Sequence, residues 1–359
     1  MSRLHVALSL MALALAGAAC APLPQVEAPA DYQVIQRDSD GGAWVEVRGT
    51  VAAPIDRIEV SVRLAGAERT PWTPMSLATA AGRQQFSGHL RLPQGGWYQL
   101  QLRLDGGRLV TAAPRFGVGD LFVLAGQSNA TNTGSGRQPG VNDRVAMFDG
   151  ERWWRAADPM VGVQDRSRDG SPWPVFGDLL QSAIGVPVGL AAVGHGNTLM
   201  ADWHPRRPPV SAHLESSRYP ALRRRLQKLG GARAILWHQG ESDAREGTGT
   251  DAYVQGFNDL RQALAADTGM NVPWVVARTS FLPGLKPDAM AAIRQAQEFL
   301  WREGMAFQGP STDDMQGNLR ARDGLHFSSL GLRMHGERWY AAVWEALYGQ
   351  SAAMEGELS

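Results

Sequence analysis

From Asp120 onward the sequence alternates between short apolar runs and stretches of helical periodicity. Strand-length runs at 121–125, 186–193, 233–238, 272–278 and 304–309 are interleaved with helical patterns near 175–184, 216–229, 251–267, 287–303 and 329–348. Such alternation predicts a parallel sheet with helices on both faces. The order constrains function as well as fold, because in sheets of this kind the chemistry collects beyond the carboxyl ends of the strands.

The residues just beyond each run are therefore informative. After the first comes Gly126-Gln127-Ser128-Asn129, and after the second Gly194-His195-Gly196-Asn197-Thr198. After the third comes Gln239-Gly240-Glu241-Ser242-Asp243, and after the fourth Arg278-Thr279-Ser280. Beyond the fifth lies Asp323-Gly324-Leu325-His326-Phe327, with a long helical pattern after it. The connection 131–174 is long and irregular, and is expected to wall a cleft.

Residues 32–117 read differently. Ile58, Val60, Val62 and Leu64 alternate with Glu59, Ser61 and Arg63, and Tyr98, Leu100, Leu102 and Leu104 alternate with Gln99, Gln101 and Arg103. Gly41-Gly42, Gly95-Gly96 and Gly106-Gly107 punctuate these runs as turns, which predicts a small β-sandwich. Trp72, Trp97 and Tyr98 are read as core or packing residues in preference to a sugar-stacking surface.

The ends are read as non-structural. Residues 1–20 carry a basic start at Arg3, an apolar stretch too short to span a bilayer and a small-residue run ending at Cys20, the pattern of an export signal. Cys20 is the only cysteine, so no internal disulfide is expected. A lone cysteine at this point resembles a bacterial lipoprotein site, which would make the protein membrane-anchored. Gly17 departs from that pattern, and ordinary cleavage near Ala19 would leave a soluble exported protein. A linker over 21–31 and a tail over 349–359 complete the expected division, with the second domain spanning 118–348. Zero net charge over 359 residues gives no reason to expect a nucleic-acid partner.

The polar clusters suit acyl transfer, which needs an activated hydroxyl, a base, a group to orient the base and donors for the developing oxyanion. Ser128 ends a strand beside a glycine. Asp323 and His326, three residues apart, share one turn, so the carboxylate can orient the imidazole. The Ser128 amide, the Gly196 amide and the Gln239 side chain are the candidate oxyanion donors. His195, His204 and His213 lie nine residues apart, a spacing that matches no metal site. Neither a metal nor a cofactor is expected.

Together, GQSN, GNT with Trp203 five residues on, WHQGESD and DGLHF resemble the four blocks of the sialate O-acetylesterase-like branch of the SGNH hydrolases. The resemblance covers roughly 118–347. It implies a three-layer α/β/α fold with a five-stranded parallel sheet. It also implies metal-free hydrolysis of acetyl esters on carbohydrates through an acetyl-serine intermediate. Carried over by position, Ser128 is the nucleophile, His326 the base and Asp323 its orienting acid, with Gly196 and Gln239 completing the oxyanion hole. Asn197 stands where relatives often have a second glycine, which leaves open whether Gly196 or Gly194 supplies the amide. Glu241 is read as a supporting carboxylate, with Gln239, Arg278 or the substrate as its partner. Two other functions fit parts of the sequence: an acetyltransferase using the same triad on an exported polysaccharide, and a non-catalytic carbohydrate-binding lipoprotein.

Overall fold

The computed structural model describes residues 24–349 except positions 52, 53, 66, 69, 81 and 286. The leader 1–20, Cys20 and nearly all of the tail 349–359 lie outside the described residues.

Strands Gln25–Ala28, Gly42–Val51, Arg83–Pro93 and Ser76–Ala80 form a four-stranded antiparallel sheet in that spatial order. A second sheet faces it, with Ile58–Leu64 antiparallel to Gly95–Leu104 and Gly95–Leu104 antiparallel to Arg108–Gly126. The alternating residues read from the sequence fill the space between. Val45, Val47, Val60, Val62, Phe86, Leu100, Leu102 and Phe116 form one buried cluster. Segment 21–31, expected to be linker, contributes the strand Gln25–Ala28, because Gln-Val-Glu-Ala has the two-residue alternation that lets Val26 pack on this core. Tyr98 is buried against Phe116, and Trp97 meets the Tyr32 ring edge-on at 5.5 Å.

Arg108–Gly126 is a single strand of 19 residues, and it runs through the boundary expected at 117/118. Its first part belongs to the second sheet of the sandwich; its last part is the centre of the sheet that carries the site. A Cβ at Gly119 would lie 1.9 Å from the Pro187 carbonyl oxygen, so only glycine lets the next segment approach here. Asp120, fully buried, then binds Arg37 at 2.6 Å, Arg233 at 2.7 Å and the Tyr348 hydroxyl at 2.8 Å. Burial pushes this carboxyl up, but the two guanidiniums outweigh it and hold it below its ordinary range.

Around that central strand the order is 153–155, 145–148, 188–192, 108–126, 234–238, 274–276, 307–308. All neighbours are parallel except Trp153–Arg155, which is antiparallel to Val145–Phe148. The expected five-stranded parallel sheet is thus a mixed one with two further strands. Both come from 131–174, expected to be irregular, where Val145-Ala146-Met147-Phe148 is a fully buried run too short to stand out beside the loop around it. Helices α1 (Trp173–Ile184) and α6 (Ser329–Leu347) cover one face, burying Trp173, Phe176 and Trp339 against Phe122 and Leu124. Helices α2 (Tyr219–Leu229), α4 (Thr250–Thr268) and α5 (Pro287–Arg302) cover the other, against Val123 and Ala125. The short α3 (Glu241–Glu246) comes directly after strand 234–238. Consecutive residues of the central strand therefore feed opposite cores, and its carboxyl end is fixed from both sides.

Candidate active site

The turn that carries Ser128 starts where the central strand stops. Gly126 has φ of +124°, and a Cβ there would lie 2.1 Å from the His238 carbonyl oxygen. Gln127 stitches the turn to the neighbouring strand: its N–H donates to His238 O at 2.8 Å, and its Oε1 accepts from the amides of Gly240 at 3.1 Å and Ser242 at 3.2 Å. Ser128 opens a one-turn 3₁₀ helix, Ser128–Ala130. Its carbonyl accepts from the Thr131 N–H at 2.9 Å and from the hydroxyls of Thr131 and Thr133 at 3.0 and 2.6 Å.

Asp323 and His326 form the pair that their spacing predicts. Asp323 Oδ2 lies 2.6 Å from His326 Nδ1, while Oδ1 accepts from the backbone amides of Leu325 at 2.9 Å and His326 at 3.0 Å. Partial burial pushes the Asp323 carboxyl up, but these bonds prevail and hold it below the usual carboxylate range. His326 Nε2 is shielded from solvent and bonded to nothing, so a Ser128–His326 hydrogen bond is not made in this structure. Such bonds are often long before substrate arrives. Arg320 braces the loop, donating to the carbonyls of Met315, Leu325 and Thr312 at 2.6, 2.6 and 2.8 Å and lying 4.2 Å over the Phe327 ring. Ser135 N–H, in the segment after the nucleophile, donates to Phe327 O at 2.7 Å and joins the two loops.

The oxyanion side is arranged otherwise. Asn197 has φ of +56°, the left-handed region that glycine favours and asparagine tolerates, which explains how it replaces a glycine. Of the two candidate glycines, Gly196 faces the nucleophile: a Cβ on it would lie 3.6 Å from Ser128 Cβ, whereas one on Gly194 would press on Thr131 at 2.8 Å. The Gly196 N–H, however, donates to Asp165 Oδ2 at 2.7 Å. Gln239, expected in the oxyanion hole, is likewise paired within the protein. Its side-chain nitrogen donates to Thr198 O at 2.9 Å and to the Asp243 carboxylate. Full burial demands a partner for each N–H, and these two partners use both.

Glu241, expected as a supporting carboxylate, has partners other than those expected. It is fully buried, and its Oε1 accepts from Asn129 Nδ2 at 3.1 Å and Ser280 N at 3.2 Å and lies 3.3 Å from His238 Nε2. Burial opposes its charge, yet the histidine and the asparagine hold its pKa down. Arg278 is not part of the site: it turns outward to Glu298 at 2.6 Å. Asp243, pushed up to about 6 by burial, also accepts from Met200 N at 2.9 Å.

The three evenly spaced histidines separate. The His195 and His213 rings are 6.0 Å apart, but His204 lies against Asp259 at 3.7 Å. A recess of about 270 Å³ beside Asn197 is lined by Leu199, Val210, His213, Ser242 and Arg245. Trp203 is buried, with its N–H on the Thr198 hydroxyl at 3.1 Å. The sequence reading assigned no role to Asn129, His238, Arg320 or Asp165. The first two lie inside recognised blocks and were within its reach; Arg320 and Asp165 sit in segments with no pattern to mark them.

The carbohydrate esterase family described as sialic acid-specific acetylesterase matches residues 118–345. A carbohydrate acetylesterase from Xanthomonas citri is similar in fold, at 20% identity and a TM-score of 0.57, over 91% of this chain and 76% of that one. An Arabidopsis thaliana protein is 20% identical over 63% of this chain and 98% of its own, with a TM-score of 0.49. A family two carbohydrate esterase from Clostridium thermocellum, solved with cellohexaose, is 10% identical over 86% and 93%, with a TM-score of 0.41. No curated protein matches the chain. With more than half of its length matched, on the segment that holds Ser128, Asp323 and His326, the chain belongs to the sialic acid-specific acetylesterase family of carbohydrate esterases.

Proposed function

We propose that the protein is an exported serine esterase of SGNH type that removes O-acetyl groups from carbohydrates through an acetyl-serine intermediate. The observation that carries this reading is the Asp323–His326 pair at 2.6 Å, with Nε2 kept clear of any other partner. Ser128 Oγ attacks the acetyl carbonyl carbon and gives its proton to His326 Nε2. Asp323 holds the Nδ1 proton and so fixes the tautomer that leaves Nε2 free to accept. The carbonyl oxygen takes the negative charge and draws on the Ser128 and Gly196 amides. The ester C–O bond then breaks, and the sugar oxygen leaves with the proton from His326. Water attacks the acetyl-serine, its proton goes to His326, and acetate departs as Ser128 recovers its hydrogen. None of these steps calls for a metal or cofactor. Export is inferred from the 1–20 pattern, with Cys20 the point of lipid attachment if the lipoprotein pattern holds.

Acetate release tests the reading. Mature protein and Ser128→Ala are incubated with 4-nitrophenyl acetate and with acetylated sialic acid, xylan and peptidoglycan. The expected result is release by the wild type and a loss of about 10³-fold or more in the variant. No release from any substrate by well-folded wild type overturns the esterase. Transfer of acetyl to an added acceptor sugar in preference to water would instead establish the transferase.

A further inference from the structure

We propose that Asp165 is a gate on one donor: its carboxylate occupies the Gly196 N–H in the resting enzyme, a neutral ester carbonyl displaces it, and an anion that needs this same donor, such as product acetate, is turned away. The inference rests on the acetylesterase reading and adds a residue to it.

One amide N–H carries one hydrogen. With Asp165 Oδ2 at 2.7 Å, the Gly196 donor is committed to a charged acceptor, a bond stronger than one to a neutral carbonyl. The placement is built into the fold. Gln164 N–H donates to Gly194 O at 2.8 Å, and its side chain donates to Val193 O at 2.5 Å, pinning the loop against the 193–196 segment. Ser167 holds the other carboxylate oxygen through its backbone N–H at 2.9 Å and through its hydroxyl. Ser167 Oγ also accepts from Asn132 N–H at 3.1 Å, which ties the loop to the segment after the nucleophile. A Cβ on Gly196 would lie 3.1 Å from Asp165 Oδ2 and 3.6 Å from Ser128 Cβ, so the carboxylate and Ser128 both flank Gly196, and the carboxylate holds the place at its N–H that an oxyanion would need. An oxyanion and a carboxylate cannot both occupy it at full charge. Asp165 therefore withdraws before Gly196 serves the reaction, and an anionic ligand meets both a filled donor and a like charge.

Asp165→Ala and Asp165→Asn test this with 4-nitrophenyl acetate, reading kcat, KM and inhibition by added acetate. The expected result is a severalfold rise in kcat/KM and a fall of about tenfold in the acetate inhibition constant, larger for alanine than for asparagine. A kcat/KM that stays the same or falls in both folded variants, with no fall in the acetate inhibition constant, overturns the gate and makes Asp165 a structural support. If Asp165→Ala unfolds, Asp165→Asn decides alone, since it keeps an acceptor for the Ser167 amide. An inactive wild type would sink the esterase reading itself, a result distinct from either outcome for the gate.

Discussion

On one side of Ser128 the Asp323–His326 pair stands complete, with both carboxylate oxygens of the aspartate engaged and the outer nitrogen of the histidine free. On the other side, the Gly196 N–H and both Gln239 N–H groups are bonded to oxygens of the protein itself. The difference comes from how each half is built. The base side is local: three residues of one turn supply the acid, the base and the amides that hold the acid. The oxyanion side draws on separate segments: the Gly196 N–H pairs with the Asp165 carboxylate, and the Gln239 side chain pairs with Thr198 O and Asp243, when no substrate is present. A local device is complete on folding; a device assembled from distant segments is completed by its ligand.

The sharpest attempt to break this contrast is Asp323→Asn. Two backbone amides already bind Oδ1, so asparagine keeps its oxygen there and turns its NH₂ toward His326 Nδ1. The imidazole then carries its proton on Nε2 and cannot accept from Ser128. A fall of about 10³–10⁴-fold in kcat, with the fold intact by circular dichroism, is expected. If kcat barely changes, the base side is no more complete than the oxyanion side, and the contrast fails.

Glu241 tests what lies beneath both halves. It accepts from Asn129, next to Ser128, and from the Ser280 amide, with His238 Nε2 3.3 Å away, and its full burial makes each contact costly to lose. Glu241→Gln keeps the size and an oxygen at the Oε1 position, but removes the charge and buries an NH₂ where Oε2 now has no partner. Denaturant unfolding is expected to show a loss of about 1–3 kcal/mol, with a smaller effect on kcat than Asp323→Asn. A kcat loss matching that of Asp323→Asn would place Glu241 in the chemistry and not under it.

The same contrast explains what could be read from the chain. The spacing Asp-x-x-His fixes a geometry within one turn, and the alternation of Phe122 and Leu124 with Val123 and Ala125 fixes which core each residue enters. Both are written in neighbouring residues. Gln239 sits in an unmistakable block together with one partner, Asp243, yet its other partner, Thr198 O, is 41 residues away and reaches it only when the chain folds. Asp165 lies between Gln164 and Arg166 with no periodicity to mark it, and only the folded loop brings it to Gly196. The strand 145–148 was hidden for a similar reason: four apolar residues in a 44-residue connection become a strand only because strand 188–192 offers them an edge.

The smallest effect expected concerns stability. His335 on α6 is fully buried, and neither ring nitrogen has a hydrogen-bond partner. It packs against Phe327 at 4.6 Å and His238 at 5.1 Å, so it lies directly behind the turn that carries His326. Burial, and then the charges of His238, Arg320 and Arg338, press its pKa well below the ordinary histidine value. The folded state therefore holds it neutral while the unfolded chain binds a proton below about pH 6.5, and stability falls as pH drops through that value. Asp158 and Asp243 act in the opposite sense. Burial raises both to about 6, so they favour the folded state increasingly as pH falls from 6 toward 4. The wild-type profile sums these slopes, and the difference between wild type and His335→Phe isolates the histidine. In urea unfolding between pH 7.5 and 4.5, the variant is expected to lose less stability on acidification than wild type. Parallel profiles would mean that His335 protonates in place, and that the aromatic layer behind the base is less closed than its burial indicates.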